Sequence, residues 1–83
     1  MAESNHWRLH LNNLLQASLG THALRWEAYQ DGPQNVAPWV AIAYIQNVEW
    51  SRGSAHTLGA AKEEAARRAY RILYRQLYGA DPQ

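Results

Sequence analysis

The chain has no cysteine among its 83 residues, which excludes a disulfide framework, a CxxC redox pair and every thiolate-ligated zinc site. A fold this small must then be held by packing, and an intracellular compartment is the expected setting. Long apolar runs are missing too. None approaches the roughly 18 residues that cross a bilayer, and the start, MAESNHW, has neither the basic nor the apolar segment of a cleavable signal, so no membrane partner is expected. Charged residues are scarce at 18% and nearly balanced at +1, with pI about 8.2, so bulk charge alone names no polyanionic partner. Internal repeats and low-complexity tracts are absent, as are HExxH, GxSxG and phosphate-loop motifs. A non-catalytic protein without cofactor, metal or small-molecule substrate is expected.

What is present is apolar: hydrophobic residues make up 47% of the chain and include four Trp and five Tyr, which separates it from disordered compositions. The length suits one domain over residues 1–83, with a core of about 5–78 and a short tail at 79–83. Between Ser4 and Ser18, Trp7, Leu11, Leu14 and Leu15 recur at spacings of three and four, the period of a helix with one buried face. Ser4 or Asn5 is placed to cap it and Gly20 to end it, leaving His6, Asn12, Asn13 and Gln16 outward. From Ala23 the pattern alternates, with Leu24, Trp26 and Ala28 on one side and Arg25, Glu27 and Tyr29 on the other. Asp31-Gly32-Pro33 forms a turn, a second strand runs from Trp39 to Ile45, and Gln46-Asn47 leads into a third from Val48 to Arg52, closed by Gly53.

Thr57 to Tyr78 reads as a long second helix whose stripe is Leu58, Ala61, Ala65, Ala69, Ile72, Leu73 and Leu77. Its early alanines let it lie close on a sheet. The expected fold is therefore α+β, in the order α-β-β-β-α, a three-stranded antiparallel sheet with both helices packed on one face. If Trp39, Ala41, Ala43 and Ile45 point inward, then Val40, Ile42 and Tyr44 with Tyr29 lie on an unusually apolar helix-free face, and the sequence does not fix that strand phase. Trp7, Trp26 and Trp39 are expected in the core.

This order resembles the double-stranded RNA-binding domain family over roughly residues 6 to 77. Members carry Leu-x-Glu-Leu in the first helix, and here Leu11-Asn12-Asn13-Leu14 stands there with Gln16 shortly after. They carry Gly-Pro-x-His-x-x-x-Phe across the first hairpin, where this chain has Gly32-Pro33-Gln34-Asn35-Val36-Ala37-Pro38-Trp39. They then read Gly-x-Gly-x-Ser-Lys-Lys-x-Ala-Lys before an alanine-rich helix, and this chain has Gly53-Ser54-Ala55-His56-Thr57-Leu58-Gly59-Ala60-Ala61-Lys62. It looks most like the small stand-alone fungal versions.

The resemblance implies recognition of A-form RNA by shape, with helix one and the first hairpin on successive minor grooves and cations at the start of helix two on phosphates. Residue by residue, it carries Asn12, Asn13 and Gln16 to one groove and Gly32, Pro33, Gln34 and Asn35 to the next. It carries Lys62 to phosphate. The usual adjacent lysines are replaced by Leu58 and Gly59, which implies weak binding with few phosphate contacts. His56, Arg52 and the positive end of helix two are the available substitutes.

Bland readings stand beside these. Helix two carries a net +3 and the rest of the chain −2, but early Glu and late Arg also suit the helix dipole, with Glu63–Arg67 and Glu64–Arg68 as i,i+4 pairs. His6 and His10 stand at metal-ligand spacing, to which His22 or His56 would have to be added, short of a held zinc set. Tyr70, Tyr74 and Tyr78 form an i,i+4 stripe beside Leu77, either capping the core with hydroxyls in water or offering a surface. Some members of the resembled family that lack the lysine cluster dimerise through the third strand and the end of helix two. That gives a second expectation, a protein-interaction or homodimer module using Trp50, Tyr44, Tyr74, Leu77 and Tyr78.

Overall fold

Periodicity of three to four, then two, then three to four again, is realised in space as helix, meander and helix. The computed structural model describes residues 6–33 and 38–80. Helix α1 spans Trp7–Gln16, a 3₁₀ turn follows at Thr21–Ala23, strands β1, β2 and β3 span Leu24–Gln30, Trp39–Ile45 and Val48–Ala55, and helix α2 spans Leu58–Tyr78. The sheet has the order β1-β2-β3 with both pairings antiparallel, and the helices pack against it as expected.

The β2–β3 link is a two-residue turn in which Gln46 and Asn47 both have positive φ, 54° and 66°, the backbone that matches the twist of the flanking strands. Gly20 adopts φ 93° past the end of α1, and its N–H donates to the Leu15 carbonyl at 2.6 Å. The proposed caps Ser4 and Asn5 lie outside the described residues. Thr57 caps α2, its hydroxyl accepting from the Ala60 N–H at 3.1 Å.

Strand β3 does not close at Gly53 but pairs on to Ala55, with Gly53 opposite Ala41. The reason is packing. A Cβ on Gly53 would meet the backbone of Ala65 and the Ala61 carbonyl oxygen, the latter at 2.5 Å, so the missing side chain is the slot in which α2 rests. Ala41, Ala61 and Ala65 line this contact fully buried. Beside it the Ser51 hydroxyl donates to the Ala65 carbonyl at 2.7 Å, which satisfies a buried polar group.

A larger core follows, built from Leu11, Leu14 and Leu15 of α1, Ala43 and Ile45 of β2, and Ala66, Ala69 and Leu73 of α2. Trp7 and Trp26 pack against it, and Trp39 packs with Trp26 on the alanine cluster, as the sequence leads one to expect. Three members of the expected stripe stand outside the core: Leu58 is only half-buried, Ile72 and Leu77 are exposed, and Ala66 is buried instead. At about 1.5 Å per residue α2 runs about 30 Å, further than its strands, so Leu77 lies a turn beyond the last buried residue, Leu73. Ile72 is rotated about 100° from Leu73, away from the sheet.

The outer sheet face is also different from the open apolar surface expected. Ile42 at its centre is only 4% exposed, flanked across the strands by Glu27 and Arg52. Arg25 pairs with Glu27 at 2.6 Å and lies 4.3 Å over the Tyr44 ring, while Arg52 pairs with Glu49 at 2.7 Å. Long charged side chains thus cover the apolar centre with their stems.

Candidate nucleic-acid interface

The face of α1 opposite Leu11, Leu14 and Leu15 is polar: Asn12, Asn13 and Gln16 are exposed. Arg8, Asn12 and Gln16 follow one another at i,i+4 and so form a stripe about 12 Å long. Gly32 and Pro33 are exposed at the end of β1, beside a closure in which the Asp31 N–H donates to the Pro38 carbonyl at 3.0 Å. Gln34 and Asn35 lie outside the described residues. His56 is exposed directly ahead of the α2 cap.

Lys62 is half-buried and leans toward β1, with Nζ 5.9 Å from the centre of the Trp26 ring. The later arginines go the other way. Glu64 takes Arg67 at 2.6 Å and Arg68 at 3.1 Å, and Arg68 also donates to the Arg52 carbonyl of β3 at 3.3 Å. Hydrogen bonds from Arg67, against partial desolvation, hold the Glu64 carboxyl below its usual range. Lys62 and Arg68 therefore occupy opposite flanks of α2, and its net charge is not one basic face.

Glu63 does not pair with Arg67. Its carboxylate crosses to α1, accepting from the Trp7 N–H at 2.8 Å and from Arg8 Nε at 2.7 Å. His6, the residue ahead of the helix, makes no side-chain cap, so Glu63 satisfies an open donor of α1 from 56 residues away and lies at the positive end of its dipole. Burial raises the Glu63 pKa, but hydrogen bonds from Arg8 and Trp7 lower it more, and the net shift is downward. Beyond Glu63 the Arg8 guanidinium reaches the first turn of α2, its Nη2 standing 3.8 Å from where a side chain on Gly59 would begin. Sequence reasoning missed Arg8 because its two neighbours, Gly59 and Glu63, are 51 and 55 residues away, and no local pattern on α1 signals them.

The aromatic residues form a separate seam. Trp7 and His10 of α1 meet Tyr70 at 5.7 and 6.1 Å between ring centres, Tyr70 meets Tyr74 at 5.8 Å, and Tyr74 meets Tyr78 at 4.6 Å. Its inner end is anchored on the core, whereas Tyr78 is 60% and Leu77 41% exposed. Trp50 sits where the β2–β3 register shifts, since Ala43 pairs with Ser51 but Tyr44 with Glu49. That bulge leaves Trp50 unpaired and packed against the main core. Tyr44 lies half-buried beneath Arg25, its hydroxyl pKa raised by desolvation and by the Glu27 carboxylate. The five residues expected on one protein-binding surface are thus divided between core, sheet face and helix end.

No protein-family model and no curated protein matches this chain. No described helix is long and apolar enough to cross a membrane.

Proposed function

We propose that this is a non-catalytic module that binds double-stranded RNA weakly and without sequence preference, by the shape of the A-form duplex, inside the cell. The observation that carries the reading is the exposed stripe of side-chain amides on α1, Asn12, Asn13 and Gln16. Amides both donate and accept, as a row of 2′-hydroxyls requires. Support comes also from the α-β-β-β-α order of the family that the sequence resembles, and from the exposure of Gly32, Pro33 and His56. Lys62 contributes a phosphate contact that the Trp26 ring holds in place. Weakness follows from charge: Leu58 and Gly59 supply none, and Arg67 and Arg68 are committed to Glu64.

The test is fluorescence anisotropy with an RNA duplex of about 20 base pairs, longer than the roughly 16 such a domain spans, beside matched DNA duplex and single-stranded RNA. Saturable binding to the RNA duplex alone, reduced by salt and by the paired change Asn12→Ala with Gln16→Ala, supports it. Equal binding to all three, or none at low salt, refutes it. The exposure of Leu77 and Tyr78 favours a second reading, a protein-interaction module engaging through the end of α2. It predicts self-association in sedimentation that Tyr78→Ala abolishes.

A further inference from the structure

We infer that Arg8 is the principal phosphate-binding cation of this interface and that Glu63 is the group that orients it, an assignment that rests on the duplex-RNA reading above. A phosphate contact requires a cation that is exposed, pre-positioned and beside the polar face that meets the nucleic acid. The eight Lys and Arg side chains divide clearly by that requirement. Arg25 and Arg52 are tied to Glu27 and Glu49 on the outer sheet face. Arg67 and Arg68 share Glu64 on the β3 flank. Arg71 and Arg75 belong to the later turns of α2, and Lys62 is half-buried and leans over the Trp26 ring of β1, which leaves it a secondary contact. Arg8 alone stands in line with Asn12 and Gln16 and at the same time against the first turn of α2.

Its pairing with Glu63 aids rather than cancels this role. The contact is made through Nε, which leaves the terminal nitrogens available, and the Arg8 side chain is 44% exposed where that of Glu63 is 15%. The carboxylate is therefore behind the guanidinium and also held by the Trp7 N–H, so an approaching phosphate meets the arginine first. A planar guanidinium fixed at one edge presents its other donors in a set direction and loses little freedom on binding two phosphate oxygens. Gly59 leaves the arrangement unobstructed, since even a Cβ there would stand 3.8 Å from Nη2, an ordinary contact. A long side chain from α1 thereby brings positive charge to a helix start whose own residues, Leu58, Gly59 and Ala60, carry none.

The experiment compares wild type, Arg8→Gln, Arg8→Lys and Arg71→Gln in anisotropy titrations with the RNA duplex over a range of salt, below the melting temperature of each variant. Arg71→Gln removes the same charge from α2 away from the stripe. Arg8→Gln is expected to weaken binding about tenfold at low salt and to reduce the salt slope by about one. Arg8→Lys is expected to keep the slope while losing part of the affinity, and Arg71→Gln to change affinity less than twofold. Equal effects of Arg8→Gln and Arg71→Gln, or an unchanged slope for Arg8→Gln, overturn the assignment to Arg8 while leaving duplex binding intact. Failure of the wild type to bind duplex RNA overturns both.

Discussion

Gly53 of β3 lies against α2 and Gly59 lies within its first turn, and adding the same methyl group at each should have opposite effects. At Gly53 the new Cβ would collide with backbone, the Ala61 carbonyl oxygen at 2.5 Å and the Ala65 N–H group, and with Glu64 Cβ at 2.9 Å. Backbone in mid-helix cannot rotate aside, so α2 must rise from β3. Overpacking of this kind costs about 1–3 kcal/mol. The same rise stretches the 2.7 Å bond from Ser51 to the Ala65 carbonyl, worth about 1 kcal/mol. Gly53→Ala should therefore destabilise by about 2–4 kcal/mol. At Gly59 the Cβ meets only Arg8 Nη2 at 3.8 Å, an ordinary contact with a flexible group, so Gly59→Ala should gain about 0.5–1 kcal/mol of helix propensity. Urea denaturation followed by circular dichroism measures both differences. A Gly53→Ala variant within about 0.5 kcal/mol of wild type, the usual scatter of surface changes, would refute the close seating of α2 on β3.

Three further outcomes follow from particular contacts. Ser51→Ala should cost about 1 kcal/mol, read from the shift in urea midpoint, and no cost would mean that the buried hydroxyl is not bonded to Ala65. Gln46 occupies φ 54° in the hairpin turn, so Gln46→Asn should raise stability by roughly 0.5 kcal/mol in the same assay, and a loss would argue against the left-handed turn. Glu63, Glu64 and Glu49 all have folded-state pKa values below the ordinary 4.5. Their contribution is therefore complete above that value and is lost as pH falls through it toward the lower folded values. Glu63→Gln should lower stability at about pH 7 and flatten the decline measured between about pH 6 and about pH 3, and an unchanged acid profile would contradict the cross-helix role of Glu63.

Why the fold was legible and parts of its surface were not comes down to range. The second strand could be read to the residue, because Trp39 to Ile45 alternates between a proline and a two-residue turn, and in the sheet every member of it lies opposite a residue of β1. The end of β3 departs from its sequence pattern because glycine normally punctuates, and only the proximity of Ala61 and Ala65 explains why this glycine continues a strand. Ile72 and Leu77 fit the helical period as well as Leu73 does. What removes Leu77 from the core is the length of the sheet beneath, and what removes Ile72 is the turn of the helix away from that sheet, neither of which a window on the helix contains.

The same limit governs the interface. The exposed amides of α1 are a local pattern, the complement of Leu11, Leu14 and Leu15, and were readable as such. Charge is not local in this sense. A helix with a net +3 reads as a basic face, yet Glu64 takes up two arginines on one flank while Glu63 reaches across to α1 on another. Those two carboxylates divide the helix electrostatically, leaving Arg8 and Lys62 as the cations at its first turns. With about two phosphate contacts the salt dependence of duplex binding should have a slope near two, far shallower than for proteins that neutralise six or more phosphates. A steep slope would require the cations on the β3 flank to reach the duplex as well, which Arg68, bonded to both Glu64 and the Arg52 carbonyl, is positioned to oppose.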